Sequence, residues 1–158
     1  MVKYILEDML RVRNLRKDTA ERNVKQAQHL LEEANTNLQK AKKALEDYRV
    51  FVDEETERMY QKIMMQKIKR GAVDDLHYAI KILKNKLITH EQTVESEKEN
   101  VKKAECNLEE KKELLNEATK NVEKIESHKE EWMKAALKEE EMVADKELEE
   151  FTPKKKEY

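Results

Sequence analysis

The chain has 158 residues, 43% of them charged and 5% aromatic, with a formal net charge of −2, one glycine and one proline; its mean hydropathy is −1.03. This composition argues against an ordinary globular core, and a single glycine leaves no phosphate-cradling loop and no dinucleotide fingerprint. High charge with few aromatics also fits disorder, but a disordered chain does not hold a seven-residue apolar repeat in register, and this chain holds one.

The first predicted element is a helix from about residue 4 to about residue 70. Its apolar column reads Ala20, Val24, Ala27, Leu31, Ala34, Leu38, Ala41, Leu45 and runs on through Tyr48 and Val52. Alternating steps of four and three are the coiled-coil period, and the small residue of each heptad lets a partner helix approach closely. Towards the N-terminus the column gives way to Arg13 and Lys17, within a basic stretch that includes Arg11, Arg16 and Arg22. At the other end stand Met59, Tyr60, Ile63, Met64, Met65 and Ile68, and from Arg58 to Val73 there are five basic residues and no acidic one. Methionine adapts its shape and is common on binding surfaces, so a basic, Met-rich stretch suits an acidic, partly apolar partner; completing the coiled-coil core is an equal claim on these residues.

A turn is predicted at about 71–74, with Gly71 as a left-handed helix stop and Asp74 as the N-cap of the next helix. That second helix covers about 75–150. One of its columns is Ile80, Leu87, Val94, Val101, Leu108, Leu115, Val122; the companion is Leu83, His90, Glu97, Ala104, Lys111, Ala118, Ile125, Trp132. The tail, 151–158, contains Pro153 and three lysines and is expected to leave the helix.

Two helices with matched heptads and a short connection predict an all-α fold, a long antiparallel two-helix coiled-coil hairpin forming one unit over 1–158. Facing residues in such a hairpin have a constant sum of residue numbers. Leu45 with Val101, Leu38 with Leu108, Leu31 with Leu115 and Val24 with Val122 all give 146, which centres the turn at residue 73. A register one heptad away also matches the columns, and only the turn signals choose between them. In the chosen register Arg13 faces Trp132, a cation–π geometry, and His90 faces about Glu55. The rod would be roughly 100 Å long at ~1.5 Å per residue, and about ten layers, each buried Leu or Val contributing ~1.5–3 kcal/mol, would hold it as a monomer on its own. The first 70 residues carry a net charge of +4 and the remainder −6, which favours pairing within the chain.

Catalytic machinery is not evident. Ser96 and Ser127 have no base at a helpful spacing, and the four histidines form no i, i+4 pair; Asp74 and His77 share a helical face and read as ordinary first-turn residues rather than a metal site. Cys106 lies off the seam and reads as a free surface thiol in a reducing compartment. The expectation is a non-enzyme without metal or cofactor. Nucleic-acid binding fits poorly with the acidic balance and the lack of base-stacking aromatics. Glu7 and Asp8 interrupt the only early apolar stretch, so no secretory signal is visible, and no run is long enough to cross a membrane. The location expected is cytoplasmic, or peripheral through a partner.

Certain segments resemble a known family. Tyr4-Ile5-Leu6, Met9-Leu10, Val12-Arg13, Arg16-Lys17-Asp18 and Ala20-Glu21, with His128-Lys129-Glu130-Glu131-Trp132-Met133-Lys134 and the Gly71 to Leu76 turn, are similar to the FliJ/YscO/CdsO proteins. These are the central stalks of type III secretion ATPases, and chlamydial-type CdsO is the nearest in these motifs. The family usually has proline after the tyrosine, where Ile5 stands here. The resemblance implies a non-catalytic stalk whose terminal end enters a hexameric ATPase ring and whose hairpin tip meets an export-gate membrane protein, at the inner membrane through the secretion apparatus; some members bind export chaperones. On this chain it implies ring-facing Leu10, Arg13, Arg16, Lys17 and Trp132, and gate-facing Ile63, Met64, Ile68 and Arg70. Competing readings of the residues are a holdase or export-chaperone escort that grips clients at its Met-rich tip, and a plain self-associating coiled coil.

Overall fold

The computed structural model describes residues 3–65 and 70–151. It contains α1 (Glu7–Met64) and α2 (Arg70–Phe151), packed against each other as an all-α helical hairpin. Helix α1 begins with the Glu7 N–H donating to the Tyr4 carbonyl at 3.3 Å. Glu7 and Asp8 lie in its first turn and Lys62 in its last, which places both signs of charge where the helix dipole favours them. The helices persist because Ala, Glu, Lys and Leu lose little side-chain freedom in them, and because glycine and proline are nearly absent.

The heptad columns are borne out residue by residue. Every member of the alanine column from Ala20 to Val52 is buried or half-buried, and so is every member of both α2 columns, including His90, Glu97 and Lys111. Two compact units fall along the helices. One is drawn from the chain ends, up to Val24 in α1 and from Lys111 in α2; the other is Lys25–Glu110.

The turn and the register differ from the expectation. Helix α2 starts at Arg70, so Gly71 to Asp74 lie within it, and Gly71 has no positive φ. In the Lys25–Glu110 unit Tyr48 stacks on His90, and Arg49 pairs with Glu91; these numbers sum to 138 and 140, one heptad below 146. In the terminal unit Tyr4 meets Trp132, Glu7 meets Lys129 and Arg13 meets Asn121, with sums of 134 to 136. In the Lys25–Glu110 unit a one-heptad slip keeps both apolar columns facing each other, so the columns cannot resist it; the terminal-unit pairs lie a further three to five residues below that register. The slip is favoured because the α2 seam begins one heptad earlier than the sequence reading placed it: Leu76 is buried and Val73 half-buried. Against that burial, a glycine inside a helix costs only about 1 kcal/mol.

Consequently Gly71→Ala should stabilise the chain by roughly 0.5–1 kcal/mol, since nothing lies within 4 Å of the position an added Cβ would take and helical φ suits alanine. Thermal unfolding checks this. A glycine serving as a left-handed stop would give the opposite sign.

Candidate partner-binding site

The terminal unit is built around a residue that precedes its helix. Tyr4 is 4% exposed and forms a cluster with Leu10, Val122 and Ile125, against which Leu6 and Trp132 pack. Its ring meets Trp132 edge-on, with centroids 5.3 Å apart at 63°, an arrangement aromatic quadrupoles favour. The Tyr4 hydroxyl and His128 Nδ1 share a hydrogen bond of 2.6 Å. Lys129 Nζ lies 5.9 Å from the Tyr4 ring centroid and donates to Glu7 Oε2 at 2.9 Å. His128 and Trp132 are four apart on α2 and Lys129 three before Trp132, so one helical face presents all three to Tyr4. The two segments that carried the family resemblance in sequence are therefore in contact with each other.

The ring-facing residues of the sequence reading occupy different layers here. Leu10 is buried in the cluster and Trp132 is half-buried against it. Arg13 and Lys17 are half-buried and Arg16 is exposed. Arg13 does not stack on Trp132. Its Nη1 donates to the Asn121 carbonyl at 3.0 Å, because the lower register brings Asn121 rather than Trp132 opposite; the long stem lies along the seam while the guanidinium caps a backbone acceptor. What the sequence reading missed is Tyr4 itself as a core residue, since it lies outside the helical period. The signal available was a lone aromatic two residues before Leu6, just ahead of an acidic first turn.

In the Lys25–Glu110 unit, Ile63, Met64 and Arg70, which the sequence resemblance implies to be gate-facing, lie where α1 ends and α2 begins. Ile63 is half-buried, Met64 and Met65 are 82% and 91% exposed, and Arg70 is exposed; Ile68 lies outside the described residues. Of this stretch, then, Met59 and Ile63 turn inward and Tyr60, Met64 and Met65 outward. His90 does not meet Glu55, which pairs with Arg58 on its own helix; it lies 4.7 Å from Tyr48, ring to ring. Cys106 is a free, exposed thiol. Among the described residues no three His, Cys, Asp or Glu side chains are grouped to hold a metal ion, and no helix is long and apolar enough to cross a membrane.

A family model for type III secretion protein YscO matches residues 6–154. The structure is similar to that of a YscO homologue, CT670, from Chlamydia trachomatis: 33% sequence identity, TM-score 0.79, covering 95% of this chain and 92% of that one. It shares its fold with the type III secretion protein YscO from Vibrio parahaemolyticus, at 24% identity and TM-score 0.85, over 93% of this chain and 92% of that one. No curated protein matches. With nearly the whole length matched, the chain belongs to the YscO family of type III secretion proteins.

Proposed function

We propose that this chain is the non-catalytic central stalk of a type III secretion export ATPase, inserting its terminal end into the hexameric ring and offering its hairpin tip to the export gate. The observation that carries the reading is the Tyr4–Trp132 cluster. It turns two family-like segments into one structured end and leaves basic side chains around it, with Arg16 exposed and Lys17 half-buried. Arg16, Lys17 and the open edge of Trp132 would meet the ring, while Leu10 and Arg13 hold the end in shape from within. Met64 and Arg70 suit an acidic, partly apolar gate surface, with half-buried Ile63 as their support. The chain would act at the cytoplasmic side of the inner membrane through these partners.

The mechanism is asymmetric contact. A single two-helix element in a six-fold ring cannot meet six subunits alike, so it biases which subunit turns over, or stabilises the assembled ring. Adding the purified chain to its ATPase should raise the rate of ATP hydrolysis or the fraction of hexamer. Arg16→Glu with Trp132→Ala should abolish the effect, while Met64→Glu should preserve it and weaken gate binding. An ATPase whose rate and assembly are both unchanged by the wild-type chain would sink the reading.

A second reading, a holdase or export-chaperone escort, draws on the exposure of Met64 and Met65. It predicts capture of unfolded clients or export chaperones by the tip, lost in Met64→Glu and independent of any ATPase.

A further inference from the structure

The seam of the Lys25–Glu110 unit holds polar side chains that its register leaves poorly matched. Tyr48 and His90 lie ring against ring at 4.7 Å, and the buried Tyr48 hydroxyl has no hydrogen-bond partner among the described residues. Glu97 is half-buried in the same seam, where Asn100 Nδ2 donates to its Oε2 at 3.5 Å. Glu55 is half-buried as well and pairs with Arg58 on its own helix. Raising the register by one heptad, so that the Tyr48–His90 sum of 138 becomes 145, places Glu97 opposite Tyr48 and Glu55 opposite His90 in one step. The apolar columns return to each other, with Leu45 against Val101 and Val52 against Val94. Gly71 and Asp74, which lie inside α2, would then stand at the turn as helix stop and helix cap.

We infer that this unit is a two-register device, with the present register as one state and a second state one heptad higher, reached by sliding α2 about 10 Å along α1 at 1.5 Å per residue. Stepwise sliding of one packed element past another is a recognised switching motion. Different kinds of contact hold the two states. The present one covers Leu76 and Val73 and pairs Arg49 with Glu91, whose side chains are both about half-exposed. The second gives these up, and gains a carboxylate acceptor for the Tyr48 hydroxyl and a carboxylate beside His90. An exposed ion pair contributes little, whereas a buried hydroxyl left without an acceptor is costly, so the exchange is closely balanced. A half-heptad slip would set Leu45 against Glu97 and Val52 against His90, so the unit has two states and not a continuum. Each helix is continuous, and the slip therefore also draws Tyr4 off His128 and Trp132 in the terminal unit, a cluster that favours the present register. The inference is independent of the stalk reading. If both hold, a partner that grips the terminal end biases the register.

Register-specific disulfides in the full chain, with Cys106→Ser to remove the free thiol, test this. Val52→Cys with Leu87→Cys reports the present register, Val52→Cys with Val94→Cys the second, and Val52→Cys with Val101→Cys neither, since the numbers sum to 139, 146 and 153. Each pair is brought to equilibrium in a glutathione redox buffer, so that the strength of the link measures a population and not chance trapping. The first link should be the strongest, the second about 10- to 1,000-fold weaker, and the third weaker than the second by about tenfold or more. Tyr48→Phe needs no acceptor, and should weaken the second link relative to the first about fivefold or more. Gly71→Ala, which favours helix at the turn of the second register, should weaken it about threefold. Circular dichroism equal to that of the wild-type chain shows that a variant folds, and Leu45→Cys with Val94→Cys, Val101→Cys or Leu108→Cys supplies the same three reporters where a Val52 variant does not. Amide protection along the seam is alike in both registers and does not report the slip. A second link no stronger than the third, or one that Tyr48→Phe leaves unchanged relative to the first, overturns the proposal. ATPase stimulation is read separately, so either idea can fail alone.

Discussion

Replacing Tyr4 by alanine is expected to release the first turns of α1 from α2, at a cost of about 3–4 kcal/mol to the terminal unit. Four effects combine at this one residue, three through its side chain and one through its main-chain carbonyl. Its ring is buried among Leu10, Val122 and Ile125, it meets Trp132 edge-on, its hydroxyl bonds to His128, and its carbonyl accepts the N–H that begins the helix. Alanine keeps only the last. Tyr4→Phe removes just the hydroxyl and should cost about 1 kcal/mol, with His128 left near solvent to find water instead. Amide hydrogen exchange reads the difference. Protection over the first three turns of α1 should fall sharply in the alanine variant and only slightly in the phenylalanine variant, while the Lys25–Glu110 unit should be unchanged in both. Equal protection in wild type and Tyr4→Ala would mean that the cluster does not hold the helix end. The result bears on function, because the proposed ring-facing residues flank this end.

The second large effect is expected at Ala27, which is 2% exposed. Leucine there adds three carbons where the neighbouring helix leaves room for a methyl group, and should cost about 1–3 kcal/mol through displaced backbone and forced rotamers. Ala44 lies off the column and is exposed, so Ala44→Leu should change stability by less than about 0.5 kcal/mol. Denaturant midpoints of the two variants, with equal slopes, check the contrast. If the two substitutions cost the same, the alanine stripe is not what sets the approach of the helices.

Most of the seam was readable in the chain. A period of seven in apolar side chains has one cheap solution, a helix facing a helix, so the column through Ala27, Leu45 and Val52 and the columns through Val94 and Val122 could be named before any contact was known. The register was not readable, and for a definite reason. Sliding one arm by seven residues returns every apolar residue to an apolar opposite, so the decision fell to the turn, whose signals were weak. Gly71 and Asp74 resemble a stop and a cap, yet both are tolerated inside a helix, and burial of Leu76 and Val73 outweighs them. Two cross-hairpin pairings went wrong with the register: Arg13 meets Asn121 instead of Trp132, and His90 meets Tyr48 instead of Glu55.

By itself, then, the sequence determined the fold class, the identity of the seam residues and the basic and methionine-rich character of the two stretches proposed to bind partners, because these depend on local helical period and composition. Only the tertiary structure decided which heptad of α2 meets which heptad of α1, that Tyr4 closes the terminal unit from outside the repeat, and that the acidic end of α2 is left uncovered. Each of those depends on where the second helix begins. A periodic pattern repeats itself every seven residues, and so carries no information about its own starting point.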